Sequence, residues 1–133
     1  MTNIEIVKEK LYKNKASLVV LYQNGTCKEY YHRRIEDIVA ILLDNKDALK
    51  GATIADKVIG KVAASVLAVA GVKEIYAETI SEFAIPVLEE NNIKYEYNNK
   101  VEFIQNNDKT EMCPMENKFK NENEITIYKY FVK

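Results

Sequence analysis

The dipeptide Asn24-Gly25 constrains this chain most tightly. It lies between Ser17–Gln23 (SLVVLYQ) and Thr26–His32 (TCKEYYH), two runs rich in β-branched and aromatic residues. Asn-Gly accepts the positive φ angles of a tight turn, so the pattern predicts an antiparallel hairpin over 17–32. A hairpin alone is marginal in water, and the rest of the chain must supply further strands and cover.

The flanking segments supply both. Ile4, Val7 and Leu11 recur at helical spacing, predicting an amphipathic helix over 3–14. Ile35, Ile38, Val39 and Leu42 form the stripe of a second helix, which gives way to the polar run Asp44–Lys50. Gly51–Ala55 (GATIA) reads as a short buried strand or an extended approach to the next helix, with Asp56 as that helix's N-cap. Val58, Ile59, Val62, Ala63, Val66, Leu67 and Ala70 make the third helix apolar over a wide face, and Gly71 ends it.

Val72–Ala77 and Ile93–Tyr97 read as strands. The helix between them opens at the capping-box pattern Thr79-Ile80-Ser81-Glu82 and starts late or bends at Pro86. The run 72–97 has the connection length of a βαβ unit, hence a parallel pair. Beside the antiparallel hairpin it makes the sheet mixed. The expected fold is α/β, a three-layer α/β/α sandwich in one domain over 1–133. A polar segment over 98–124 reads as either a functional loop or a partly mobile stretch, and Ile125–Val132 as a last strand.

Composition narrows the function class. Nineteen Lys and Arg against 20 Asp and Glu leave a net charge of -1, without the basic field of a dedicated nucleic-acid binder. The longest apolar run, Val62–Val72, falls well short of the ~20 residues that span a bilayer, so no membrane partner is expected. The opening MTNIEIVKEKLYKNK lacks the apolar stretch of a secretion signal. Cys27 and Cys113, far apart in sequence, read as reduced thiols, and a cytoplasmic location is expected.

Two places carry candidate chemistry. In Met112-Cys113-Pro114-Met115-Glu116, Pro114 suits the first position of a helix and Glu116 the third, so Cys113 takes the N-cap place. Free N–H groups there favour a thiolate, hence a nucleophile or an anion pocket; the plain alternative is an idle loop thiol. In Asp56-Lys57 and Gly60-Lys61, two lysines sit where a helix start should disfavour them. Either they bind an anion, with Asp56 as acid or base, or Asp56 is an ordinary cap and the lysines are solvated.

Gly60-Lys61 is not a phosphate-binding loop, because that motif needs glycine where Ala55 stands and Ser or Thr where Val62 stands. His32, the only histidine, has no nearby partners for a metal and reads as structural. The tyrosines fit strand faces, without the basic stripe of a stacking platform.

The order helix, hairpin, helix, βαβ and further strand looks like the cytidine-deaminase-like fold. More closely, GATIADKVIGKVAA, TISEFAIPVLEENNIKYEY and MCPME together resemble an uncharacterised prokaryotic family of that fold, over about residues 3–117. Zinc deaminases place His or Cys followed by Glu at one helix start and Pro-Cys-x-x-Cys at the next; the metal activates water and the Glu moves protons. The corresponding positions here are Ala55–Val58 (ADKV), Ser81 and Ala84. Zinc-dependent deamination is therefore not expected, and neither a metal nor another cofactor is implied.

What the resemblance leaves is a pocket near two helix starts, lined by Asp56, Lys57, Gly60, Lys61, Ser81, Cys113 and Glu116. Lys57, Gly60, Lys61, Ser81 and Glu116 are the expected ligand-binding residues. The first reading is a domain that binds a small anionic or nucleotide-like ligand. The alternative is a metal-independent enzyme with Cys113 as nucleophile and Asp56 or Lys57 as its acid–base partner. Deaminase-like domains often oligomerise, so a homo-oligomer is compatible with both.

Overall fold

The structure, a computed structural model, describes residues 1–32, 35–105 and 112–132. Five strands form one sheet in the order β2-β1-β3-β4-β5: β1 (Leu18–Leu21), β2 (Cys27–Tyr30), β3 (Thr53–Ile59), β4 (Glu74–Ser81) and β5 (Lys94–Val101). Strand β1 runs antiparallel to both β2 and β3, while β3–β4 and β4–β5 are parallel, so the sheet is mixed. The hairpin forms where expected but with a wider turn. Tyr22 N–H donates to Thr26 O, Gly25 N–H donates to Tyr22 O, and only Gly25 has positive φ (93°). Asn24 instead uses its side chain, whose Oδ1 accepts from Thr26 N–H at 2.9 Å. This is a three-residue loop with glycine in the left-handed position, not a two-residue turn.

Helix α1 (Asn3–Lys13) covers one face of the sheet, burying Ile4, Val7 and Leu11 against Val19, Ala55 and Tyr76. Thr2 caps it, its Oγ1 accepting from Glu5 N–H while Glu5 Oε1 accepts from Thr2 N–H. The larger core lies on the opposite face. There α2 (Glu36–Asp44), α3 (Lys61–Val69), α4 (Ala84–Glu90), α5 (Pro114–Phe119) and α6 (Glu124–Phe131) contribute buried Ile38, Leu42, Leu67, Leu88, Phe119 and Ile127. Each such apolar side chain taken from water contributes roughly 1.5–3 kcal/mol.

Three expectations are corrected. Asp56 is not a helix cap; it lies within β3, paired across to Leu18 of β1 and Ala77 of β4. Val58 and Ile59, counted above as the first helical turn, are strand residues, and α3 starts only after Gly60, whose extended backbone (ψ -173°) closes the strand. The two-sided hydrogen bonding available to a central strand outweighed the helical spacing of the apolar residues. Lys57 and Lys61 therefore do not share one helix face.

The capping box at Thr79-Ile80-Ser81-Glu82 does not form: Thr79 and Ser81 are residues of β4, and α4 begins only at Ala84 without a side-chain cap, which puts Pro86 in the first turn where its missing N–H costs nothing. Ile125–Val132 is not a strand. Residues Glu124–Phe131 form α6, with Asn123 Oδ1 accepting from Thr126 N–H at 2.8 Å, and the helix packs on α3. Tertiary packing overrides β-propensity here.

The 72–97 unit is as expected: β4, α4 and a parallel β5. Gly71 (φ 87°) ends the α3 segment, with Val72 N–H returning to Leu67 O. In the polar 98–124 stretch, β5 extends to Val101 and α5 forms at 114–119; residues 106–111 lie outside the described part. No helix among the described residues is long and apolar enough to cross a membrane.

Candidate functional site

The carboxyl end of β3 lies beside the amino end of antiparallel β1, and open α/β sheets tend to bind ligands outside the carboxyl ends of their strands. A cavity of about 500 Å³ opens there. Its floor is Asp56 and Val58 on β3; α3 contributes Val62 and Ala63, and α6 contributes Phe131. Lys15, Tyr31 and Lys57, all exposed, stand at its rim. Ile104, Gln105, Cys113, Met115 and Glu116 close the remaining side.

Asp56 is 7% exposed. Strand alternation turns it to the same sheet face as Ile54, toward α3 and α6. Oδ1 accepts from Val58 N–H at 3.3 Å, and no described residue donates to Oδ2. Burial raises its pKa to about 7; the backbone N–H groups of Val58 and Lys57 oppose that rise, and the charge of Asp37 adds to it. This carboxyl changes protonation near neutral pH while facing a cavity. Neighbouring Ser17 is already committed, its hydroxyl donating to the carbonyls of Tyr30 (3.0 Å) and His32 (2.5 Å).

Glu116 is the second buried carboxylate, 2% exposed. Its Oε2 accepts from Lys61 N–H at 2.8 Å and from Ser81 O–H at 2.9 Å, and its Oε1 accepts from Ile104 N–H at 2.5 Å. Cys113 does stand at the N-cap of α5 with Pro114 at the first helical position. Glu116 at the third position does not fold back on Cys113, as a capping box would require; it crosses to the start of α3. The N–H of Lys61, free at the start of α3, is thus filled by the protein's own carboxylate.

Of the residues expected to form the pocket, Asp56, Lys57, Gly60, Cys113 and Glu116 line the cavity. Lys61 and Ser81 do not. Lys61 Nζ turns away and donates to Lys120 O at 2.6 Å, and buried Ser81 serves Glu116. Lys15, Ser17, Tyr31, Ile104 and Phe131 went unnoticed in the sequence. They reach the cavity through strand pairing and helix packing, and carry no local motif.

The residues do not fit zinc. The two positions matching the paired cysteines of the metal-binding pattern hold a hydroxyl engaged with Glu116 and the methyl of buried Ala84. Among the described residues no group of three or more His, Cys, Asp or Glu is arranged to hold a metal ion. His32 is exposed and paired through Nδ1 with Asp37 Oδ1 at 2.8 Å.

Comparison with known proteins adds a family and a relative. Residues 6–133 match the family model described as TM1506, a domain of unknown function (DUF1893). A DUF1893 family protein from Thermotoga maritima, TM1506, has a crystal structure similar to this chain at TM-score 0.85 and 26% identity, covering 98% of this chain and 88% of that one. No curated protein matches the chain.

Proposed function

The chain belongs to the DUF1893 family, whose description assigns no activity, and on that footing we propose that it is a small-molecule-binding domain with a nucleotide-like ligand in the Asp56 cavity. One observation carries the reading: the Asp56 carboxyl group, more than nine-tenths buried, faces a cavity of about 500 Å³ where a ligand donor can reach it. A ligand bearing an N–H donor would hydrogen-bond this carboxyl group, and hydrogen bonds to charged groups contribute about 1.5–3 kcal/mol. The volume falls within the roughly 300–1,000 Å³ range of small-molecule sites.

The lining suggests the rest of the ligand. Val62, Ala63, Ile104 and Phe131 suit a flat apolar body, and Lys15 and Lys57 at the rim suit a negatively charged group reaching toward solvent. A heterocyclic base with an N–H edge and a phosphate meets all three demands. The element order supports kinship with the deaminase-like fold, and the hydroxyl of Ser81 and the methyl of Ala84 at the positions of the paired cysteines, with no zinc-compatible ligand set among the described residues, argue for binding without zinc-dependent deamination. A second reading has Cys113 as a nucleophile; it is favoured by the thiol sharing the cavity with Asp56, the group able to exchange a proton near neutral pH.

Isothermal titration with purine and pyrimidine nucleoside monophosphates tests the first reading. Binding by at least one class, weakened about tenfold or more by Asp56→Asn, is expected. Binding of none, or binding indifferent to Asp56→Asn, would sink it. Fast alkylation of Cys113 that a bound nucleotide suppresses would favour the second.

A further inference from the structure

Five residues of the cavity wall lie outside the sheet: Ile104 and Gln105 just past β5, Cys113 at the N-cap of α5, and Met115 and Glu116 within α5. Their attachment centres on one side chain. Lys61 N–H, Ser81 O–H and Ile104 N–H converge on the Glu116 carboxylate from the start of α3, the end of β4 and the start of the wall itself. The fit leaves no slack. A Cβ on Gly60 would lie 2.5 Å from Glu116 Oε2, so the residue before α3 must be glycine for the carboxylate to seat. A second tether runs the other way, from Lys61 Nζ to Lys120 O just past α5. The two ends of the wall are joined by Cys113 N–H donating to Ile104 O at 2.6 Å and by the antiparallel bridge of Gln105 with Met112.

We infer that Lys61 N–H, Ser81 Oγ and Ile104 N–H form a carboxylate-binding site occupied in cis by Glu116, a latch that docks the α5 wall and thereby determines whether the Asp56 cavity is enclosed. The latch is separable from the sheet because its donors are not ladder amides: Ser81, though paired with Val101, donates through its side chain, and the amides of Lys61 and Ile104 lie outside the strands. Releasing it opens the wall and leaves the five-stranded sheet and the α1 layer in place. The functional consequence rests on the cavity being the ligand site; the latch itself does not.

The test needs no ligand. Cys113 lies in the wall and Cys27 lies in β2, so iodoacetamide alkylation of the intact protein, read by peptide mass spectrometry, has an internal reference. In Glu116→Ala the Cys113 rate rises about tenfold or more while the Cys27 rate is unchanged, and added formate, filling the vacated site, slows Cys113 again. Ser81→Ala gives a smaller rise. A Cys113 rate within about twofold of the parent in folded Glu116→Ala would overturn the latch.

Should Glu116→Ala unfold, both thiols would speed together, and amide hydrogen exchange of the unmutated protein decides instead. The amides of Lys61 and Ile104 donate to the two oxygens of one carboxylate, so a latch exposes them in one opening event with equal protection. Protection differing more than about tenfold after correction for intrinsic rates would overturn the inference. Nucleotide titration of the same variants is read separately: a working latch with no nucleotide binding condemns the ligand reading alone.

Discussion

The Oε2 atom of Glu116 occupies the space where a side chain on Gly60 would begin, 2.5 Å from the ideal Cβ position. Gly60 has an ordinary extended backbone, φ -98° and ψ -173°, so conformational freedom does not explain the glycine. Close approach does. Adding one methyl group there must push the carboxylate off Lys61 N–H and Ser81 O–H or displace Ile104, whose Cγ1 lies 2.9 Å away.

Gly60→Ala is accordingly expected to cost about 2–4 kcal/mol and to lower Tm on the order of 10 °C. Thermal unfolding followed by circular dichroism checks this. The double variant Gly60→Ala/Glu116→Ala should lose less than the sum of the two single changes, by about 1–3 kcal/mol, because the methyl then enters vacated space. Strict additivity would mean that the two positions do not compete.

Ser81→Ala removes one of three donors to a carboxylate that keeps the other two, and it leaves no polar atom of its own behind. The expected loss is about 1–2 kcal/mol, smaller than for Glu116→Ala, which strands two backbone N–H groups and a hydroxyl. Urea titrations with unchanged m-values would give the ranking directly. The reverse order would remove Glu116 from the centre of the network.

Asp56 makes stability depend on pH in a direction unusual for a carboxylate. Burial raises its folded-state pKa to about 7 from 3.8, so between those values the folded protein holds a proton that the unfolded chain has lost. The Asp56 contribution is therefore fully present below about pH 4, falls as pH rises toward about 7, and is flat above it, a span of up to about 4 kcal/mol. Asp56→Asn stays neutral throughout and should lose that slope. Relative to the parent it gains stability above pH 7, with the advantage shrinking as pH falls toward 4. Parallel stability–pH curves for the two proteins would show that Asp56 is solvated.

The lysines should divide by position. Lys15 and Lys57 stand at the rim, whereas Lys61 Nζ is engaged with Lys120 O. Lys15→Ala and Lys57→Ala are each expected to weaken a phosphorylated ligand roughly three- to tenfold, with a salt-dependent effect. Lys61→Ala should lower Tm and leave affinity within about twofold. Titrations at two salt concentrations separate these outcomes, and a dominant loss at Lys61 would return the anion to the start of α3.

Features built from neighbouring residues were legible in the sequence. The hairpin around Gly25, the βαβ unit, the end of α3 at Gly71 and the Cys113-Pro114 start of α5 each depend on a few adjacent positions. Asp56 was misread because Val58, Ile59 and Val62 keep helical spacing while spanning a strand, a turn and a helix. Residues 125–132 were misread because Ile125, Thr126 and Ile127 favour a strand until packing on α3 decides otherwise. The role of Glu116 had no local trace: its partner Lys61 is 55 positions away, and only the completed sheet brings them together.

That separation also sets an order of events at the ribosome. The last strand ends at Val101, so a nascent chain can hold all five strands before Glu116, and later Phe131, has been synthesised. Domains commonly begin to fold during synthesis, and here the framework can precede the pocket. A chain cut short after Val101 would carry a nearly complete sheet with the start of α3 uncapped and the cavity missing a side. Ligand capture would then mark chains extended past Phe131, because only those can bring both α5 and α6 to the cavity.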